Sequence, residues 1–418
     1  MNSPGRSLPP LLRQFLFGSL LLVGLCGVTE VVCRLVFHLH YPFDFPIMNP
    51  GSVTADLLAL QYRFAHVHSR MFFDVPSNID FIYPAPVAIP YSIFLFKVRL
   101  ARLLFYSFAV GGVVVAAAPL GRSMIRRGVR AADARIFLAL SFLCSIPFWF
   151  ELKQGNMEIV VFFLIAAAIT AFLHGRDWTA AALLGVAGSM KLFPFLLLGL
   201  FFSQKKYLKI AFSLAVGVLL TLASLWLIYP RILYTRARLN ANFAGFQKMY
   251  LLHFLFPEEQ AFDHSGWSFI KRFLPHTWSA GQVAPVLQAY LAVAAVAGIV
   301  LYFWRIRKLP VVNQVLCLIV ASILFTPVSF DYTLIQLYTP WALFVLLAID
   351  CARSGRDLPG LRGAFACLLF LCAPISEIIV HGATIQAPIK TLLLVALFVI
   401  GLRYPFPSPI PPLEAAVA

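Results

Sequence analysis

Acidic and imidazole side chains gather in one polar stretch between the first two apolar spans of this 418-residue chain. The stretch from His38 to Pro84 reads HLHYPFDFPIMNPGSVTADLLALQYRFAHVHSRMFFDVPSNIDFIYP and holds Asp44, Asp56, Asp74, Asp80, His38, His40, His66 and His68. A chain this apolar keeps carboxylates at membrane level only where they meet water, a partner or a substrate. Asp44 sits between Phe43 and Phe45 near the end of the first span, which places it at the membrane surface. It is therefore the leading catalytic candidate, with Asp56 as the alternative.

Cations come next. Lys191 lies inside an apolar run beside Pro194, and one buried ammonium at a helix break is more than packing needs. Arg272 sits in an aromatic segment, Ser268-Phe269-Ile270-Lys271-Arg272-Phe273. A fixed cation near a surface carboxylate suits a reaction that handles an anion. Glu158 and Asn156 precede an apolar span, and each also has a bland reading as a first-turn acid or a cap. Asp331 has one too, as the partner of an arginine.

The elements that must hold these groups are membrane helices. Hydrophobic residues make up 61% of the chain and charged ones only 12%, whereas soluble domains run near 45–50% and 25%. The fold class is an all-α polytopic membrane protein forming one integral domain over 1–418. The net charge of +16 is spread between apolar spans, as positive-inside flanks require, and no soluble domain is left to bind nucleic acid. The seven cysteines lie in or beside apolar spans with no metal-type spacing, which reads as packing.

Arg6 and Arg13 ahead of the first span put the N-terminus in the cytoplasm and the 38–84 loop outside. The apolar N-terminal run continues through Val36 without a clear cleavage site, so the first helix is expected to be retained. The segment 81–94 is proline-studded and too short for a full crossing. Lys97, Arg99 and Arg102 then fall in the outer half of the membrane, where they either hold an anion or signal a different topology. Residues 178–202 read as two short helices meeting at Lys191–Pro194, each reaching only about two-thirds of the ~30 Å hydrocarbon core. Residues 230–285 form a second large outer loop, and 403–418 a short cytoplasmic tail. About twelve crossings result, with both termini inside. Most acids then sit on the outer face, where no ATP is present. The sequence has no nucleotide-binding loop. An enzyme there needs an activated donor that arrives through the lipid.

Four ordered segments carry a family resemblance. They are Asp44-Phe45, Ile82-Tyr83-Pro84-Ala85-Pro86, Gln154-Gly155-Asn156 followed by Lys191-Leu192-Phe193-Pro194, and Thr326-Pro327-Val328-Ser329-Phe330-Asp331. In these the chain resembles the polyprenyl-phosphate-sugar-dependent glycosyltransferases of the C superfamily, specifically family 87, whose members are mannosyltransferase-like. One departure is that Pro46 to Pro50 stands where many members begin a tyrosine-rich helix, which is why Asp56 stays in play. The resemblance implies a bundle of the C-superfamily type with short helices in its outer loops. It also implies inverting transfer of a sugar, mannose being the commonest in the family, from a polyprenyl monophosphate to a hydroxyl of a glycolipid or glycan, with no cofactor and no essential metal. An outer-face carboxylate would take the acceptor proton, and cations would meet the departing phosphate. Asp44 is expected to be that base. Lys191, Asp331, Arg272, Asn156, Glu158 and Tyr83 are expected to bind donor phosphate or substrate, and membrane lipids surround the whole. The rival readings are a transporter or flippase for a lipid-linked precursor, favoured by broken helices and buried charges, and a non-catalytic envelope scaffold.

Overall fold

The computed structural model describes residues 6–38, 54, 56–58, 61, 85–228, 263–275, 277–373, 379–380, 383–384 and 386–409. Among these the elements are helical, apart from a two-residue antiparallel ladder and one isolated bridge between Arg6 and Val129. Helix α1 (Pro10–Val36) opens on a proline in its first turn, where the missing N–H is not needed. A short α2 (Ala88–Ser92) precedes α3 (Val98–Arg126). Next come α4 (Ala131–Leu143) and α5 (Ile146–Gln154), bent by 55° at the break before Pro147. Helices α6 (Glu158–Leu173) and α7 (Asp177–Met190) follow; then a 3₁₀ segment, Phe193–Leu198, leads into α8 (Gly199–Ser203). The chain continues through α9 (Tyr207–Ile228), α10 (Gly266–Lys271), α11 (Ala280–Trp304) and α12 (Val311–Leu324). A second 3₁₀ segment, Asp331–Leu337, runs straight into α13 (Tyr338–Ser354), before α14 (Leu361–Cys372) and α15 (Gln386–Arg403).

Six helices among the described residues are long and apolar enough to cross a membrane, or seven if the bent α4–α5 pair is one span. This makes the protein multi-pass, but the helices long enough to cross number fewer than the twelve or so crossings expected from hydropathy. The reason is helix length. Helices α6, α12 and α14 have 16, 14 and 12 residues, and at ~1.5 Å per residue the 14-residue one covers only about two-thirds of a ~30 Å core. Hydropathy counts apolar residues, whereas helix ends are set by breakers such as Pro310, which precedes α12, and Gly360, which precedes α14 at φ +85°.

Burial separates an axis from a rim. In the span Asp331–Ser354, 83% of the most apolar stretch is buried inside the protein, against 6% for Ala280–Lys308. Helix α13 is therefore the central strut, and α11 turns its side chains outward. Helix α7 packs between α6 and α9, and small residues let the backbones approach: a Cβ at Gly185 would lie 2.5 Å from the Ser213 carbonyl oxygen. The seven cysteines are free thiols. Glu30 pairs with Arg34 one turn along α1.

One end of the bundle ties the termini together. The Arg6 amide donates to Gly128 and the Arg130 amide to Arg6. Arg127 binds Asp350 at 2.9 Å and also the Pro409 carbonyl. The arginine-rich connection between α3 and α4 thus meets Arg6 and Pro409, the first and last described residues. Asp350 and Asp133 pair with arginines at this end, whereas Glu158 holds Lys191 at the head of α6 and Asp331 holds Lys390 ahead of α13.

Candidate active site

A turn at the end of α5 starts the site. Gly155 takes φ +65° and its amide closes on the Glu151 carbonyl at 2.9 Å, a left-handed cap that glycine adopts without strain. Space demands glycine as well, because a Cβ there would stand 3.1 Å from the Leu57 Cβ and 3.2 Å from the Thr54 Cα. Thr54 and Leu57 of the first polar stretch therefore lie directly on this turn, and the Tyr91 hydroxyl donates to the Gly155 carbonyl at 2.7 Å. Asn156 then links two elements. Its Oδ1 accepts the Glu158 amide at 2.9 Å, and its Nδ2 donates to Asp56 Oδ2 at 2.6 Å. This is how Asp56 reaches the first turn of α6.

Glu158 is the hub. It is fully buried, and its carboxylate accepts from Lys191 Nζ and from Gln336 Nε2, the latter at 2.7 Å. Lys191 occupies the break after α7 in extended backbone, φ −144° and ψ 140°. There its amide still closes the helix on Ala187, and its ammonium lies 5.1 Å from the centroid of the Tyr332 ring. A cation at that distance from an aromatic face is attracted by the ring's negative face. Glu151, also fully buried, caps α6 by accepting the Ile159 amide at 2.8 Å through Oε1, while its Oε2 has no hydrogen-bond partner among the described residues. Three carboxylates, one lysine and two amide side chains thus meet at the head of α6.

A second cluster lies behind the 3₁₀ segment Asp331–Leu337. Asp331 is buried, its Oδ2 accepts from Lys390 Nζ at 2.6 Å, and its Oδ1 lies 3.3 Å from His264 Nδ1, near but not aligned for a hydrogen bond. His264 Nε2 is 3.1 Å from the Ser329 hydroxyl, which in turn is 2.6 Å from that of Thr333. Asp263 straps the two chain segments together, for its Oδ1 accepts the amides of both Ser265 and Ser329 at 3.0 and 2.9 Å. Beside it Arg272 is half-buried, with Nε and one terminal nitrogen lacking any hydrogen-bond partner among the described residues. Burial lowers the pKa of that guanidinium, and the nearby Asp263 charge works against the shift.

Burial pushes the Asp263 carboxyl above its ordinary value of 3.8, and the two amides only partly oppose this. A carboxyl whose pKa is higher folded than unfolded destabilises the fold once it ionises, so this contribution to stability falls as pH rises from 3.8 through the folded value. Asp263→Asn keeps an Oδ1 for both amides and carries no charge. The variant is expected to gain melting temperature relative to wild type progressively as pH rises from 4 toward neutrality. Thermal melts at several pH values check this; a constant offset would mean that Asp263 does not titrate in this way.

Of the residues expected from the sequence, Asp56, Asn156, Glu158 and Lys191 come together in one cluster. Asp331 and Arg272 belong to the second, and Asp331 has its oxygens turned to Lys390 and His264. Asp44 and Tyr83 lie outside the described residues, as do most of the 38–84 and 230–285 loops. Lys97 and Arg99 stand exposed at the start of α3, while Arg102 Nε donates to the Thr54 hydroxyl at 2.9 Å. Four residues were missed: Glu151, His264, Gln336 and Lys390. Lys390 gave a signal, a cation at the head of an apolar span, of the same kind that drew attention to Lys191. Gln336 gave none, being a neutral amide among apolar neighbours. Among the described residues no group of three or more His, Cys, Asp or Glu side chains is arranged to hold a metal ion.

The model of glycosyltransferase family 87 matches residues 81–327, more than half of the chain. The matched region contains the glycine turn, Asn156, Glu158 and Lys191, and it stops at Pro327, just short of Asp331. No curated protein and no solved structure matches. A match of that extent settles the family: the chain belongs to glycosyltransferase family 87.

Proposed function

We propose that the protein transfers a sugar, mannose in the first instance, from a polyprenyl monophosphate to a hydroxyl of a glycolipid or glycan acceptor, with inversion at the sugar carbon. The reaction takes place on the extracytoplasmic face of the cell membrane, with both termini in the cytoplasm, and it uses neither a cofactor nor an essential metal. The observation that carries this reading is the pairing of Lys191 with Glu158 at a helix break, beside Asp56 and Asn156. A lysine held there by a carboxylate is placed to meet the phosphate charge that grows as the glycosidic bond breaks. Arg272, whose buried nitrogens lack partners among the described residues, is the second phosphate ligand. Asp44 acts as general base, with Asp56 as the alternative, and Tyr83 lines the donor site. The short helices α6, α12 and α14, completed by the segments that flank them, make up a bundle of the C-superfamily type with about twelve crossings.

The test is direct. Purified protein in lipid nanodiscs is incubated with labelled polyprenyl-phosphate mannose, glucose or arabinose and candidate glycolipid acceptors. Transfer from one of these donors, unaffected by chelator, is the expected result. Absence of transfer from all three, together with movement of the labelled lipid across liposome bilayers, would replace the transferase reading with a flippase.

A further inference from the structure

The 3₁₀ segment Asp331–Leu337 has a different partner at each end. Near its start, the Tyr332 ring lies under the Lys191 ammonium; one residue from its end, Gln336 donates to the buried carboxylate of Glu158. Seven residues of 3₁₀ helix form a long run for a conformation with poor hydrogen-bond geometry, so the segment needs outside support to keep its shape. That support comes from behind. Asp331, its first residue, is gripped by Lys390 of α15, which is itself 2% exposed. The same helix reaches further back, since the Thr391 hydroxyl donates to the His264 carbonyl at 2.9 Å. His264 then flanks the other oxygen of Asp331. Three parts of the chain far apart in sequence thus meet on one carboxylate, and the segment they hold forms one wall of the lysine–glutamate hub.

We propose that Lys390 is a positioning residue of the transferase: through Asp331 it fixes the segment that presents Tyr332 to Lys191 and Gln336 to Glu158. Among the described residues, the hydrogen bond of Lys390 goes to Asp331 and not to a member of the hub. Its influence travels through a single buried ion pair into a short stretch of backbone whose two informative side chains set where the Lys191 ammonium stands. Catalytic geometry tolerates little error; displacement of about 1 Å costs on the order of a hundredfold in rate. The loss therefore falls on kcat, where the ammonium meets the developing charge, more than on donor affinity, which the lipid chain dominates.

The kinetic arm of the test rests on the proposed transfer from polyprenyl-phosphate mannose; the exchange arm does not. In the full-length protein, Lys390→Met is expected to lower kcat about thirtyfold with donor KM changed by less than about twofold, and Lys390→Arg to recover most of the rate. Lys390→Met combined with Gln336→Ala is expected to be no slower than the slower single variant, because both act on one element. Hydrogen exchange is expected to quicken in the 331–337 amides of Lys390→Met while the second half of α13 keeps its protection. Removing both charges, in Asp331→Asn/Lys390→Met, takes the place of the single variant if the latter does not fold; it is expected to melt near wild type and still show the kcat loss, since neutral pairs replace buried ion pairs at small cost. Multiplicative rate losses with Gln336→Ala, or unchanged exchange in 331–337, would overturn the proposal. If the wild type moves no sugar from any polyprenyl phosphate, the donor reading fails and the exchange result alone decides the role of Lys390.

Discussion

Lys191→Met is expected to cut transfer by at least about a hundredfold and to lower the melting temperature by several degrees, two effects with separable causes. The thermal effect comes from Glu158. Its carboxylate is fully buried, and without the ammonium it keeps Gln336 as its one side-chain donor among the described residues. Removing one partner of a buried pair costs about 3–5 kcal/mol in soluble proteins, though polar contacts between membrane helices average nearer 0.6 kcal/mol. We expect about 2–3 kcal/mol, because the group stranded here is a full charge and not a neutral hydrogen bond. The rate effect comes from the phosphate that Lys191 would no longer meet. Glu158→Gln in the same chain separates them, since a neutral amide tolerates the missing lysine. Kinetics and melts of the double variant decide: recovered stability with the rate still lost assigns Lys191 to the substrate, whereas recovery of both would make the pair purely structural.

The hub shows what a sequence reveals and what it conceals. Lys191 was visible because a cation stands out against an apolar run and Pro194 marks the break beside it. Asn156 and Glu158 were visible as a cap and a first-turn acid ahead of an apolar span, and Glu158 does open α6 with its amide held by Asn156 Oδ1. The contacts between them were not visible. Asn156 meets Asp56 across 100 positions, Gln336 meets Glu158 across 178, and Lys390 meets Asp331 across 59. Nothing in local pattern or period encodes such pairings; they follow from how α6, α7 and α13 stack once the helices have formed. Asp331 illustrates the gap. Its type and neighbours pointed toward substrate, and its surroundings give it two basic partners inside the protein.

Crossing number is legible only in part: hydropathy sees apolar runs, but α12 and α14 have 14 and 12 residues, and whether such short helices cross depends on the segments that flank them. Arginine-rich connections were expected to share one face with both termini, and the contacts of Arg6 with Gly128 and of Arg127 with Pro409 bring those described segments together. Glu151, Glu158 and Asp331 meet elsewhere, around the head of α6 and the 3₁₀ segment before α13. Charge distribution along the chain thus anticipated the contacts of Arg6 and Arg127, whereas helix boundaries depended on backbone chemistry that composition averages away.

Asp44→Asn is expected to reduce kcat by about 10²–10⁴-fold, the range for loss of a positioned general base, and Asp56→Asn by no more than about tenfold. The asymmetry follows from what each residue does. Asp56 already accepts a hydrogen bond from Asn156, and an asparagine there retains an oxygen for that bond. Asp56 therefore anchors the first polar stretch to the head of α6, a role that survives loss of charge. Asp44 lies outside the described residues and outside the family match, which begins at residue 81; its assignment stands on its motif, on its aromatic neighbours and on its closeness to the end of the first span. Rates for the two variants at saturating donor, measured across pH, separate the candidates. A base that must be ionised gives kcat/KM an acidic limb, and only its replacement removes that limb along with the rate. If Asp56→Asn is the variant that abolishes both, the base sits at the hub and its bond to Asn156 orients the catalytic carboxylate; Asn156→Ala should then lose rate as well, while Asp44→Asn stays near wild type.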